Sequence, residues 1–192
     1  MILVVAAVRE ELGDLPGVAL GVGPVVTAAR MGRLLAEVAP TGVVMVGTAG
    51  AYPDGPAVGV AVQAGRLGLA DGAAAMALGY TPLPPAPVPA DHRVLPLLDL
   101  PICDVLTTGA VSTDPVLTGR LGDGWAVEHL ECFGAAWACQ DAGIPFTAVL
   151  GIANRVGPGA HAEWLTWRGR AQDVARDAVR AALGARGMRQ PE

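Results

Sequence analysis

Lysine is absent from this chain: all thirteen basic residues are arginine, against eighteen acidic ones, for a formal net charge of −5 over 192 residues. No dense basic cluster occurs, and phosphate backbones or anionic lipid surfaces need concentrated positive charge, which argues against nucleic acid or an anionic membrane surface as a partner. The missing lysine, with abundant Ala and Gly, reads as base-composition bias in the genome rather than as chemistry. Cysteine is scarce too. Cys103, Cys132 and Cys139 form no C-x-x-C pair, which suits a reducing cytoplasm. His92, His129 and His161 are scattered without metal-ligand spacing, so no metal is expected. No uncharged run free of Gly and Pro approaches the roughly 20 residues that would span a bilayer. The apolar start MILVVAAVREEL lacks a basic leader and a small-residue cleavage site, so it reads as a core strand of a soluble, cytoplasmic protein.

What is present is apolar: 52% of residues are hydrophobic and 16% charged, enough for one domain over residues 1–192 with a sizeable core. Short continuous apolar runs alternate with longer helical patterns, the mark of strands covered by helices on both faces. This predicts an α/β fold, with strands at 2–8, 17–22, 42–48, 58–64, 103–108 and 145–151 and helices at 24–38, 125–141 and 162–184. The stretch 79–101, GYTPLPPAPVPADHRVLPLLDLP, holds too much proline for a helix or a central strand. It is expected to be a long ordered loop beside the ligand site.

Four segments could carry chemistry. In AAVREEL, Glu10 and Glu11 follow a buried strand, where open α/β sheets place ligands; by spacing alone they read equally as solvated acids. GVGPVVTAA and MVGTAGAYPDG put glycines after apolar strands, either to admit a ligand or simply to turn. Neither fits the dinucleotide or P-loop pattern. Glu131 lies within the apolar run VEHLECFGAAWAC, and a buried carboxylate requires a partner, so it faces either solvent or a cavity whose occupant satisfies it. Asn154 ends the last strand before a Gly/Pro loop and by itself reads as a turn residue.

In their order, these segments resemble the nucleoside phosphorylase/nucleosidase superfamily over nearly the whole chain. VVAAVREEL is similar to its first strand and acidic turn, GVGPVVTAA to its ribose-side glycine loop, and VVMVGTAGAYPDGPAVGVAV to its central strand and loop. AVEHLECFGAAWACQDAGIPFTAVLGIANRVG is similar to its ribose-binding helix and base-binding strand; the EHLE, GAYP and ANRVG…W elements most resemble the futalosine hydrolases of menaquinone biosynthesis. The resemblance implies a three-layer α/β/α fold with a central mixed, largely parallel sheet, no cofactor, and a homodimer. It implies that Glu131 binds the ribose hydroxyls with Leu130 beside the sugar, that Glu11 activates water, and that Asn154 meets purine N7. Thr48, Gly50 and Gly23 complete the expected substrate-binding set.

The implied reaction is hydrolysis of the N-glycosidic bond of a purine nucleoside, most like futalosine to hypoxanthine and dehypoxanthine futalosine. An amide at position 154 suits a 6-oxopurine, because it donates to N7 or to the oxo group and its carbonyl can accept from an N–H. The alternatives are a methylthioadenosine/S-adenosylhomocysteine or aminodeoxyfutalosine nucleosidase, and a nucleoside-binding homologue without turnover. The chain departs from the family pattern in a reduced hairpin at 13–17, in Leu150 where an Arg is common, in Ala153 where Ser is common, and in the lack of a base-stacking Phe in TTGAVSTD at 107–114. An arginine phosphate motif is also missing, which favours hydrolysis over phosphorolysis.

Overall fold

A computed structural model describes residues 1–95 and 98–187; positions 96 and 97 of the proline-rich segment and positions 188–192 of the predicted domain lie outside the described residues. The strands are β1 (Ile2–Ala6), β2 (Val18–Ala19), β3 (Gly42–Ala51), β4 (Ala61–Leu69), β5 (Val88–Pro89), β6 (Ile102–Thr107), β7 (Val127–His129) and β8 (Phe146–Arg155). The helices are α1 (Arg9–Leu12), α2 (Pro24–Val38), α3 (Gly72–Ala75), α4 (Pro115–Leu121), α5 (Cys132–Asp141) and α6 (Ala160–Gly187). No described helix is long and apolar enough to cross a membrane.

The sheet is mixed and mostly parallel, as expected, but it is not the open middle layer of a sandwich. β3 pairs with β8 in parallel along nearly its whole length, β8 turns its other edge to β4, β4 pairs with β6, β6 with β7, and β7 returns to β3. Five strands thus close a ring, from which β1 and β2 extend on one side and β5 on the other. Closure follows from length: ten-residue β3 and β8 outrun their neighbours and leave free edges that a further strand can satisfy. Helices still cover the sheet. Met31 and Leu35 of α2 and Phe133, Ala135 and Cys139 of α5 pack with Met45, Leu150 and Ile152, while Ala175, Val179 and Ala182 of α6 pack with Val44, Val46 and Val149.

One predicted helix is corrected. Residues 125–141 are not continuous helix, because Val127–His129 pair with both β3 and β6, and helix begins only at Cys132 with Glu131 as its N-cap. The strand expected at 17–22 is reduced to Val18–Ala19. The described part of 79–101 contributes β5, buries Val88, Val94 and Leu95, and supplies no residue to the cavity described below.

Candidate active site

One edge of β3 serves two strands in succession. β1 pairs with Gly42–Met45, β7 pairs with Gly50–Ala51, and between them the edge is unpaired. This divergence, at the carboxyl end of β1, opens a cavity of about 460 Å³ where open α/β sheets place ligands. Its lining brings together Glu11, Thr48, Gly50, Leu130, Glu131 and Asn154.

Glu11 sits in the single turn of α1 directly after β1 and is 6% exposed, whereas its neighbour Glu10 is exposed. Spacing could not separate the two acids; the direction of that turn does. In the unpaired stretch of β3 the Thr48 backbone N–H donates to Glu11 Oε1 at 2.9 Å, and the Thr48 hydroxyl donates to the same oxygen at 3.1 Å. The other oxygen, Oε2, is buried without a partner among the described residues. Burial raises the Glu11 pKa, opposed by His129 and by the two Thr48 bonds, with Glu131 adding to the rise.

Glu131 is 4% exposed. Its Oε1 accepts from the Gly23 N–H at 2.8 Å, at the N-terminus of fifteen-residue α2, whose helix dipole favours a carboxylate. Gly23 itself does not line the cavity; with φ of 93° at the N-cap, it suits glycine, and it serves by orienting Glu131. Burial raises the Glu131 pKa, opposed by the Gly23 and Leu130 amides.

Asn154 is placed by a β-bulge: Ala49 pairs with Ile152 but Gly50 pairs with Asn154, so the extra residue, Ala153, turns the amide toward the cavity. Its Nδ2 donates to the Arg155 carbonyl at 2.9 Å. A Cβ on Gly50 would lie 2.9 Å from that nitrogen, so Gly50 makes room for the amide. Leu150 and Ala153 are fully buried and do not line the cavity.

The sequence reading passed over His129, Trp164 and His161 as members of this site. His129 Nδ1 accepts from the backbone N–H of Glu131 at 3.0 Å and of Cys132 at 3.1 Å, covering the open start of α5. A ring nitrogen that accepts twice carries no proton, so the proton lies on Nε2. Burial chiefly lowers the His129 pKa to about 4, opposed by Glu11, and the 3.3 Å approach of Glu131 Oε2 to Nδ1 is therefore not an ion pair at neutral pH. Trp164 and His161, stacked at 5.9 Å on the first turns of α6, form a further wall. The sequence signals for this wall are their helical spacing beside the glycine loop at 157–159 and the tryptophan that closes ANRVG…W.

The state of His129 gives the fold a pH dependence. An unfolded histidine protonates near 6.5, while this one stays neutral to about 4. The stability it contributes is therefore complete above about pH 6.5 and lost as pH falls toward 4, by about 3 kcal/mol in all. Glu11 and Glu131, raised by burial, act in the opposite sense, so the difference between two proteins isolates the histidine. In urea titrations at about pH 7 and pH 4.5, His129→Gln is expected to lose about 2 kcal/mol less than wild type over that interval. Equal losses would assign the acid response to other groups.

No family model and no curated protein matches this chain. Solved structures do. The 5′-methylthioadenosine/S-adenosylhomocysteine nucleosidase of Neisseria meningitidis, in complex with methylthio-immucillin-A, superposes with a TM-score of 0.79 at 15% identity, covering 96% of this chain and 98% of that one. Futalosine hydrolase of Helicobacter pylori gives 0.80 at 13% identity, covering 96% and 97%. The S-adenosylhomocysteine nucleosidase of Streptococcus pyogenes, in complex with 5-methylthiotubericidin, gives 0.79 at 19%, covering 95% of each chain. The chain has the fold of the nucleoside phosphorylase/nucleosidase superfamily.

Proposed function

We propose that this protein hydrolyses the N-glycosidic bond of a purine nucleoside, with a 6-oxopurine such as the hypoxanthine of futalosine as leaving base. Three buried carboxylates line one largely apolar cavity; Glu128 is engaged by the Tyr52 hydroxyl and the Ser112 amide, and the observation that carries the reading is the remaining pair, Glu11 and Glu131. Among the described lining residues the ionisable groups are acids and histidines, with no arginine. A phosphate nucleophile would meet like charge at low dielectric, whereas water would not, so hydrolysis is favoured over phosphorolysis.

In this reading the ribose hydroxyls donate to Glu131, whose position Gly23 holds, and Leu130 packs beside the sugar. Glu11 Oε2 takes the proton of the attacking water, and burial raises its basicity toward the working pH. As C1′–N9 stretches, positive charge develops on the sugar beside both carboxylates, and preorganised charge of this kind stabilises the transition state. Asn154 keeps one N–H and its carbonyl for the departing base, since its other N–H is tied to Arg155. It stabilises the purine anion without transferring a proton to it.

A panel of 6-oxo and 6-amino nucleosides, assayed with and without phosphate, tests the reading: base release from the 6-oxo members, independent of phosphate, is expected. Preference for 6-amino substrates would transfer the reading to an adenine-nucleoside hydrolase, and binding without release would leave a nucleoside-binding protein. Asn154→Asp is expected to move the 6-oxo to 6-amino ratio of kcat/KM toward the amino form by about one to two orders of magnitude, because unpaired buried polar groups cost roughly 1–3 kcal/mol. The new carboxyl keeps the bond to the Arg155 carbonyl only when protonated, so this variant should also be the slower enzyme. A ratio indifferent to the substitution would remove Asn154 from base selection.

A further inference from the structure

The buried oxygen of Glu11 that lacks a partner is left free by a chain of hydrogen bonds that begins on α6. Trp164 Nε1 lies 3.2 Å from Thr48 Oγ1, which lies 3.1 Å from Glu11 Oε1. An indole N–H only donates. The Thr48 hydroxyl must therefore accept from Trp164, and its single proton is directed to Glu11. Together with the Thr48 amide at 2.9 Å this gives Oε1 two donors and leaves Oε2 with none. The indole is itself held, half-buried, between the His161 ring and the Arg168 guanidinium, whose Cζ lies 5.0 Å from the ring centroid.

We infer that Trp164 is a positioning residue that, acting through Thr48, selects Glu11 Oε2 as the proton-accepting oxygen and couples the seating of α6 to the basicity of Glu11. The inference rests on the hydrolase reading for its catalytic meaning, but the hydrogen-bond chain stands without it. Without the indole N–H, the Thr48 hydroxyl is free to rotate away, Oε1 keeps only the Thr48 amide, and the distinction between the two oxygens weakens. The other titratable groups around the cavity are His129 and Glu128 on β7, the latter held by Tyr52 and Ser112, Glu131 at the start of α5, and His161 on α6. Arg176 of α6 approaches α1 but is engaged by the Glu10 carbonyl and Asp173.

Trp164→Phe keeps the aromatic wall and deletes only the donor. In ligand-free protein labelled with carboxyl-13C glutamate, with the Glu11 resonance assigned through Glu11→Gln, the variant should raise the Glu11 midpoint by about 0.7 pH unit, since one hydrogen bond is worth about 1 kcal/mol. Thr48→Val, which breaks the same chain from its middle, should shift it in the same direction, and the double variant should shift it no further than Thr48→Val alone. On substrate, Trp164→Phe should lower kcat about tenfold with KM within about twofold, its acidic limb following the NMR midpoint. An unmoved Glu11 midpoint, or shifts that add in the double variant, would overturn the inference whatever the activity. A wild type inactive on every nucleoside would count against the hydrolase reading alone, because the titration needs no turnover.

Discussion

Glu11→Gln should turn over nucleoside about two to four orders of magnitude more slowly than wild type, while melting at the same temperature or higher at neutral pH. The amide oxygen can keep both Thr48 bonds at the Oε1 position, so the turn after β1 is retained. At the Oε2 position an NH2 replaces the acceptor, so in the proposed mechanism the water loses its base. The stability effect has the opposite sign because burial raises the Glu11 pKa. A carboxyl whose folded pKa is raised stabilises the fold while protonated and loses that contribution as pH rises through the folded value. The neutral isostere escapes this loss, so its advantage in melting temperature should be largest near pH 8 and shrink as pH falls through the Glu11 midpoint. Steady-state base release and thermal melts across that range check both halves. Turnover near the wild-type rate would remove Glu11 as the base.

Gly151→Ala should cost about 3 kcal/mol or more of folding free energy, the largest stability effect expected of a single methyl group here. A Cβ at this position of β8 would lie 1.9 Å from the Ala171 carbonyl oxygen of α6 and 2.5 Å from its carbon. Both are backbone atoms of a long helix, so no side chain can yield and the whole of α6 must lift from the sheet. That lift would loosen Ala175, Val179 and Ala182 from Val44, Val46 and Val149. It would also draw Trp164 away from Thr48, so activity should fall even in the fraction that remains folded. Equilibrium urea unfolding with an unchanged slope is the measurement. A loss below about 1 kcal/mol would mean that α6 is not seated against β8 as closely as this.

Much of the architecture is readable from local pattern. The runs of Val, Ala and Leu in β1, β3 and β8 are nearly continuous because these strands are covered on both faces, and continuity of that kind does not depend on which strand lies beside which. Gly23–Pro24 marks the start of α2, since proline belongs in a first helical turn, where its missing N–H has no intrahelical partner. The strand β7 was not readable: Val127–His129 is three residues long, and its extended conformation is chosen by the free edges of β3 and β6, which lie far away in sequence. A helical pattern therefore ran through it. The same applies to the closure of the sheet, because a list of strands does not state that β8 pairs on both sides.

For the site, the residue types at Glu11, Glu131 and Asn154 were evident in the sequence together with their resemblance, but the sequence by itself left each of them open to a bland reading. The tertiary structure brings them to one cavity. It does so by placing β1 and β7 in succession on one edge of β3, by laying the N-terminus of α2 against Glu131, and by inserting a bulge before Asn154. His129 and Trp164 depended on it entirely. An imidazole becomes a fixed Nε2–H donor only when two amides claim its Nδ1, and an indole can direct a carboxylate 153 positions away only when a helix and a strand bring both to one hydroxyl. Composition and periodicity determine which surfaces are buried, since burial is an average over a residue's own neighbours; the hydrogen-bond partners of a buried polar group are single atoms, and only the closed chain decides which they are.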